Sequence, residues 1–277
     1  MLISKPGTLS VLLTSSQHSS SYRPRRTTMT TVESGIYIER PGSVRSILWI
    51  HGYTGSVSAF APLLTRLSES LNADIAAPLL PGHGTDEHDL IGLTYDDFLD
   101  TARTQAQKLA HSGKPLSLVG YSFGGYLAAE IAVEIGAQSL VMALTPYALR
   151  FPCTIPQIER VFRAKKFWDK CLTAQDIRER EGTFYYPDVP GTSLTLIKHG
   201  NARLDDLLPH ITCPILTIHN TGDPVAASQS GEDIIAHSAH NPKNSARILR
   251  GGRHALFFRP EHQLEEKVLS DFLRGVI

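Results

Sequence analysis

Gly120-Tyr121-Ser122-Phe123-Gly124 lies between two runs of different periodicity. Pro115-Leu116-Ser117-Leu118-Val119 before it reads as a short buried strand. Tyr126-Leu127-Ala128-Ala129-Glu130-Ile131-Ala132 after it reads as a helix. A Gly-x-Ser-x-Gly segment at a strand-to-helix junction is a nucleophile elbow. The sharp turn lifts the serine hydroxyl clear of the sheet, and the glycines let neighbouring backbone pass closely. Such an elbow belongs to a sheet whose other strands also end in functional loops, so the rest of the chain can be searched for them.

Strands and helices alternate from about Ser46 onward, which predicts a mostly parallel sheet with helices on both faces. The expected strands are 46–50, 74–77, 115–119, 139–144, 215–219 and 246–249. Apolar spacing predicts helices over 61–71, 95–110 and 263–274, the second opened by Thr94 as N-cap. The stretch Tyr147 to Asp206 breaks this rhythm. It holds helix-like segments such as Ile155 to Lys170 and no strand pattern, and it carries eight of the 21 aromatic residues. It is expected to be a small helical cap over the C-terminal strand ends. Residues 33–146 and 207–277 then form the core. Within the cap, Phe184 and Tyr185 are the expected substrate contacts.

A serine hydroxyl needs a base to take its proton, and the base needs a carboxylate to orient it. With the order Ser, acid, His expected in this architecture, Asp223 and His254 are the candidates. Asp223 follows the strand 215–219 directly. His254 follows Gly251-Gly252-Arg253, after the last strand and before the last helix. His262, at the start of that helix, reads as a capping or surface residue. Glu232 and Asp233 read as a solvated helix face. The loop His51-Gly52-Tyr53-Thr54-Gly55-Ser56 follows the strand 46–50. It and the elbow would supply two backbone N–H groups to an oxyanion, from Tyr53 and Phe123. His51 reads as a brace for its loop, and so does His83 in Pro81-Gly82-His83-Gly84-Thr85.

These motifs together resemble the α/β-hydrolases, in particular the bacterial carboxylesterase and monoacylglycerol lipase group, over about Ile47 to Val276. The resemblance implies a small mobile cap and hydrolysis of short- to medium-chain acyl esters or monoacylglycerols. Two positions depart from the group's pattern. Phe123 stands where a small residue, Leu or Met is usual, and Arg253 lies beside the base. Thioesterases and carbon–carbon bond hydrolases use the same triad. A hydrolase-fold ligand-binding protein would dispense with part of it. A haloalkane dehalogenase would need an aspartate where this chain has Ser122.

Composition narrows the partners. Lys+Arg and Asp+Glu number 27 each, for a formal net charge of zero, so no basic stripe points to nucleic acid. No apolar run approaches the roughly 18 residues of a membrane span. The three cysteines, Cys153, Cys171 and Cys213, show no disulfide or zinc spacing. The expected setting is cytoplasmic, the expected partner a small-molecule ester, and no metal or organic cofactor is indicated. Met1 to Thr31 contains no Asp or Glu, is crowded with Ser and Thr, and carries Lys5, Arg23, Arg25 and Arg26. Residues 1–32 are expected to be a disordered tail, with an organellar targeting peptide or a start at Met29 as alternatives. The basic set Arg160, Arg163, Lys165, Lys166 and Lys170 reads as a solvated helix face.

Overall fold

The computed structural model describes residues 35–150, 167–170, 173, 183–257 and 263–275. The expected N-terminal tail, His262, most of the expected 155–170 helix and Arg160, Arg163, Lys165 and Lys166 lie outside these residues.

Seven strands form one sheet: β1 (Ile36–Ile38), β2 (Arg45–Ile50), β3 (Ala73–Ala77), β4 (Leu116–Tyr121), β5 (Ser139–Ala143), β8 (Ile215–Asn220) and β9 (Ser245–Leu249). Their order is β1-β3-β2-β4-β5-β8-β9, and all pairs are parallel except β1 with β3. Strands alternate side chains between faces. Leu48, Ile50, Leu116 and Leu118 therefore face one core, while Ile47, Trp49, Val119 and Tyr121 face the other. The first core is covered by α2 (Tyr95–Ala110), α3 (Gly124–Ile135) and α4 (Ser193–Leu207). The second is covered by α1 (Ala61–Leu71) and α6 (Gln263–Arg274). The helix α5 (Ser230–His237) carries Glu232 and Asp233 and packs on β8 and β9. At the start of α2, the Thr94 hydroxyl accepts from Asp97 N–H at 3.3 Å, and the Asp97 carboxylate accepts from Thr94 N–H at 2.7 Å. This is a reciprocal capping box.

Two parts of the 147–206 stretch differ from the sequence expectation. A two-stranded antiparallel pair, β6 (Phe167–Asp169) with β7 (Asp188–Pro190), lies where no strand pattern was visible. The end of the expected 155–170 helix is thus strand at 167–169. Three-residue strands are too short to show a period of two, and their hydrogen bonds come from partners about 20 residues away. The edge strand β1 escaped detection for the same reason.

The chain runs outward from β2 to β3, then returns to place β4 on the other side of β2. The connections leaving β2 and β4 part at this reversal, and in open α/β sheets ligands bind beyond the strands' C-terminal ends at such a point. Ile50 pairs with Gly120 there, so the loop after Ile50 and the elbow emerge side by side. Asn220 pairs with Leu249, which does the same for the loops of Asp223 and His254.

Candidate active site

The elbow packs at the limit of steric tolerance. A Cβ on Gly124 would sit 2.2 Å from Ile50 O, and one on Gly120 would sit 2.4 Å from Gly124 O. Only glycine fits either place. Ser122 adopts φ 52°, the left-handed region, and its N–H is fixed to Ala143 O at 2.7 Å. A non-glycine residue held there stores roughly 1 kcal/mol of strain, sustained by the packing around it.

The three sequence-predicted catalytic side chains come together. Ser122 Oγ lies 2.8 Å from His254 Nε2, and His254 Nδ1 lies 2.7 Å from Asp223 Oδ2. The other carboxylate oxygen, Oδ1, accepts from Val225 N–H at 2.7 Å and Ala226 N–H at 3.1 Å. Asp223 is fully buried, whereas Ser122 and His254 are partly exposed. Burial raises the Asp223 pKa, but the neighbouring His254 and the two backbone N–H donors outweigh it and hold the carboxyl below its ordinary value. The acid is therefore an anion that keeps the His254 proton on Nδ1 and leaves Nε2 to face Ser122.

Both loops of this relay are tied down by residues that sequence reasoning did not single out. Asn220 Nδ2 donates to Arg253 O at 2.8 Å, and the Tyr121 hydroxyl accepts from Leu256 N–H at 3.1 Å, so His254 is fixed from both sides. Arg150 donates to Asp223 O at 3.0 Å and to Thr221 O at 2.8 Å. An Asn at a strand end and a Tyr before the elbow serine were the visible signals. Arg150 gave none, because its contacts span more than 70 residues.

Tyr53 and Phe123 lie on the loops that leave β2 and β4. Phe123 is the N-cap residue of α3, at the positive end of its dipole; the first-turn N–H groups of Gly125 and Tyr126 donate to Ser122 O at 2.9 Å and Phe123 O at 3.1 Å. Gly52 abuts the elbow serine: a Cβ built there would be 3.1 Å from Ser122 Cβ. The Gly52 carbonyl accepts from His51 Nδ1 at 2.9 Å and from Gly55 N–H at 3.3 Å. Carbonyl and N–H point opposite ways across a trans peptide, so these bonds direct the Tyr53 N–H to the other side. The Tyr53 ring packs against Phe98, Phe123 and His83 at centroid distances of 5.9, 5.7 and 5.7 Å.

His51 and His83 brace the loops as neutral rings. His51 Nε2 accepts from Leu80 N–H at 3.0 Å, which leaves the proton on Nδ1 for Gly52 O. His83 Nε2 accepts from Thr54 N–H at 2.9 Å while Nδ1 faces Pro81 O at 2.9 Å. Burial lowers the His51 pKa to about 4, partly opposed by the bond to Gly52. Burial and the nearby His51 lower that of His83 to about 3. Phe184 and Tyr185 are partly exposed; Phe184 packs on Tyr186 at 5.2 Å, and Lys170 sits 6.0 Å from the Tyr185 ring centre. Lys170 is not on a solvated helix face. It follows β6 and donates to Thr54 Oγ1 and Tyr186 O.

A mostly parallel sheet with a serine elbow after β4, an aspartate after β8 and a histidine after β9 defines a hydrolase-type α/β protein. The profile of the Alpha/beta hydrolase family matches residues 47–267, and the chain belongs to that family. It is similar to the thermostable monoacylglycerol lipase of Bacillus sp. strain H-257, with 21% identity over 233 residues, covering 82% of this chain and 90% of the lipase. A shorter match, 30% identical over 109 residues, is to the dihydrolipoyllysine-residue acetyltransferase component of the acetoin cleaving system of Cupriavidus necator. It spans 39% of this chain and 28% of that protein. Among solved structures, a metagenome-derived lipolytic enzyme of the LipS and LipT pair superposes with a TM-score of 0.74 at 21% identity, over 87% of this chain and 97% of that one.

Proposed function

We propose that this chain is a serine hydrolase that cleaves carboxylic esters of short to medium acyl chains or monoacylglycerols. The observation that carries this reading is the continuous relay from Ser122 Oγ through His254 to the buried Asp223, at 2.8 and 2.7 Å. His254 Nε2 takes the Ser122 proton as Oγ attacks the ester carbonyl. The tetrahedral oxyanion is met by the backbone N–H groups of Tyr53 and Phe123. The adduct collapses, His254 passes the proton to the departing alkoxide, and an acyl group remains on Ser122. Water then attacks that acyl group with His254 again as base, releasing the carboxylic acid and restoring the serine. Asp223 stays ionised throughout and stabilises the transient imidazolium.

The substrate class draws support from the named activity of the Bacillus relative and from the aromatics of the 147–206 stretch. In this reading that stretch is a cap over Ser122, with Phe184 and Tyr185 along the acyl path. The test is a panel of p-nitrophenyl esters from acetate to dodecanoate beside the matching acyl-CoA thioesters. Ester turnover should dominate and rise with acyl length before it falls. Thioesters outrunning every ester would replace this reading with a thioesterase. No turnover of either would leave a binding protein.

A further inference from the structure

Tyr186 joins the stretch before β7 to both loops behind Ser122. It is 2% exposed. Its backbone N–H donates to Thr54 O at 2.9 Å. Its hydroxyl donates to Gly82 O at 2.9 Å and accepts from Thr85 N–H at 3.0 Å. Gly82 and Thr85 flank His83, whose Nε2 holds the Thr54 N–H, and the Tyr186 and His83 rings stack at 6.2 Å. Lys170, directly after β6, the strand that pairs with β7, donates to Tyr186 O and to Thr54 Oγ1.

Thr54 is thus held at every polar atom. Its N–H goes to His83, its carbonyl takes the Tyr186 N–H, and its hydroxyl donates to Tyr53 O at 2.6 Å while accepting from Lys170. Such restraint is what its backbone requires, for Thr54 adopts φ 62°. A β-branched residue keeps that conformation only where its surroundings over-determine it. The residue before it is Tyr53. Fixing the Thr54 peptide on one side, and the Gly52 carbonyl on the other, leaves the Tyr53 backbone one orientation.

We propose that Tyr186 is a positioning residue for the oxyanion hole, with Lys170 as its second arm, so that docking of the cap and alignment of the Tyr53 N–H are a single event. This rests on the reading of Tyr53 as an oxyanion donor given above. The bonds from Tyr186 and Lys170 come from outside the loop and converge on the residue next to the donor. A contact that merely docks the cap could have fallen anywhere along its rim. A displacement of about 1 Å at a catalytic group can cost on the order of 100-fold in rate, so a modest loosening of this clamp is measurable.

The experiment compares wild type, Tyr186→Phe and Lys170→Met in the full chain with p-nitrophenyl butyrate. Turnover is expressed per active site titrated with a fluorophosphonate. A butyl trifluoromethyl ketone, which forms a tetrahedral adduct on the serine, and the matching unreactive amide are measured as inhibitors. Tyr186→Phe keeps the ring and the backbone bond and removes only the hydroxyl's two contacts. It should lower kcat about tenfold with KM within about twofold, less than the loss of a whole oxyanion donor. The ketone Ki should rise by the same factor while the amide Ki stays put. Lys170→Met should shift kcat and ketone affinity together in the same direction, and it carries the test if Tyr186→Phe folds poorly. A kcat per titrated site within twofold of wild type in both variants overturns the proposal. A loss confined to KM, or an unchanged ketone Ki, does so equally. A wild type that neither turns over the ester nor labels at Ser122 removes the functional reading along with the proposal. A wild type that does both, matched by its variants, removes the proposal alone.

Discussion

Lowering the pH should take the two bracing histidines apart, and the cost can be worked from their environment. His51 and His83 are buried, with pKa values lowered to about 4 and about 3. In the unfolded chain each returns to about 6.5. Between those limits the unfolded state binds protons that the folded state refuses. The stability each neutral ring contributes is therefore fully present above about pH 6.5 and is lost as pH falls toward the folded value. One such proton corresponds to about 1.4 kcal/mol per pH unit. For His83 alone the loss from pH 6 to pH 4.5 comes to about 2 kcal/mol. The measurement is urea unfolding across that range for wild type and His83→Gln. A glutamine can still accept from Thr54 N–H but does not titrate, so the background from carboxylates and other histidines cancels in the comparison. The wild-type curve should fall more steeply by about one proton, whatever the variant's absolute stability. Parallel curves between pH 6 and 4.5 would show that His83 charges in the folded state, and the account of it as a neutral acceptor would be wrong.

Asp223→Asn should keep the fold and lower kcat by up to about 10⁴, because an amide favours the wrong histidine tautomer; circular dichroism and steady-state kinetics on purified protein decide this. Replacing Phe184 or Tyr185 with Ala should flatten the rise of kcat/KM with acyl length, each CH₂ being worth up to about 0.8 kcal/mol, with little effect on acetate esters. Equal slowing of all chain lengths would assign these rings to the internal packing of the 147–206 stretch. Thr94→Ala should cost about 1 kcal/mol in denaturant unfolding, since the capping box at α2 loses one partner, and should leave turnover unchanged.

The parts legible in the sequence were those written in local pattern. The buried strands β2, β4, β5 and β8 are apolar runs, and α1, α2 and α6 carry helical spacing, with Thr94 marking the start of α2. Ser122, Asp223 and His254 could be picked out because each lies in the turn or loop that follows a strand, and the structure draws them within hydrogen-bond reach of one another. In the sequence Tyr186 is one of eight aromatics in its stretch, with nothing local to set it apart from its neighbours Phe184 and Tyr185. What distinguishes Tyr186 is a pair of contacts about 100 residues away, at Gly82 and Thr85. Lys170 read as one charge among five because its partner Thr54 lies 116 residues off. Local pattern fixes which elements form; the partners of a loop depend on where the sheet carries it.

The most direct test is covalent. Wild-type protein treated with a fluorophosphonate should gain one adduct by intact mass, mapped by peptide sequencing to Ser122. The same treatment should leave Ser122→Ala unmodified, folded and without esterase activity. An adduct on another residue, or a Ser122→Ala protein that retains wild-type ester turnover, would contradict the claim that Ser122 is the nucleophile.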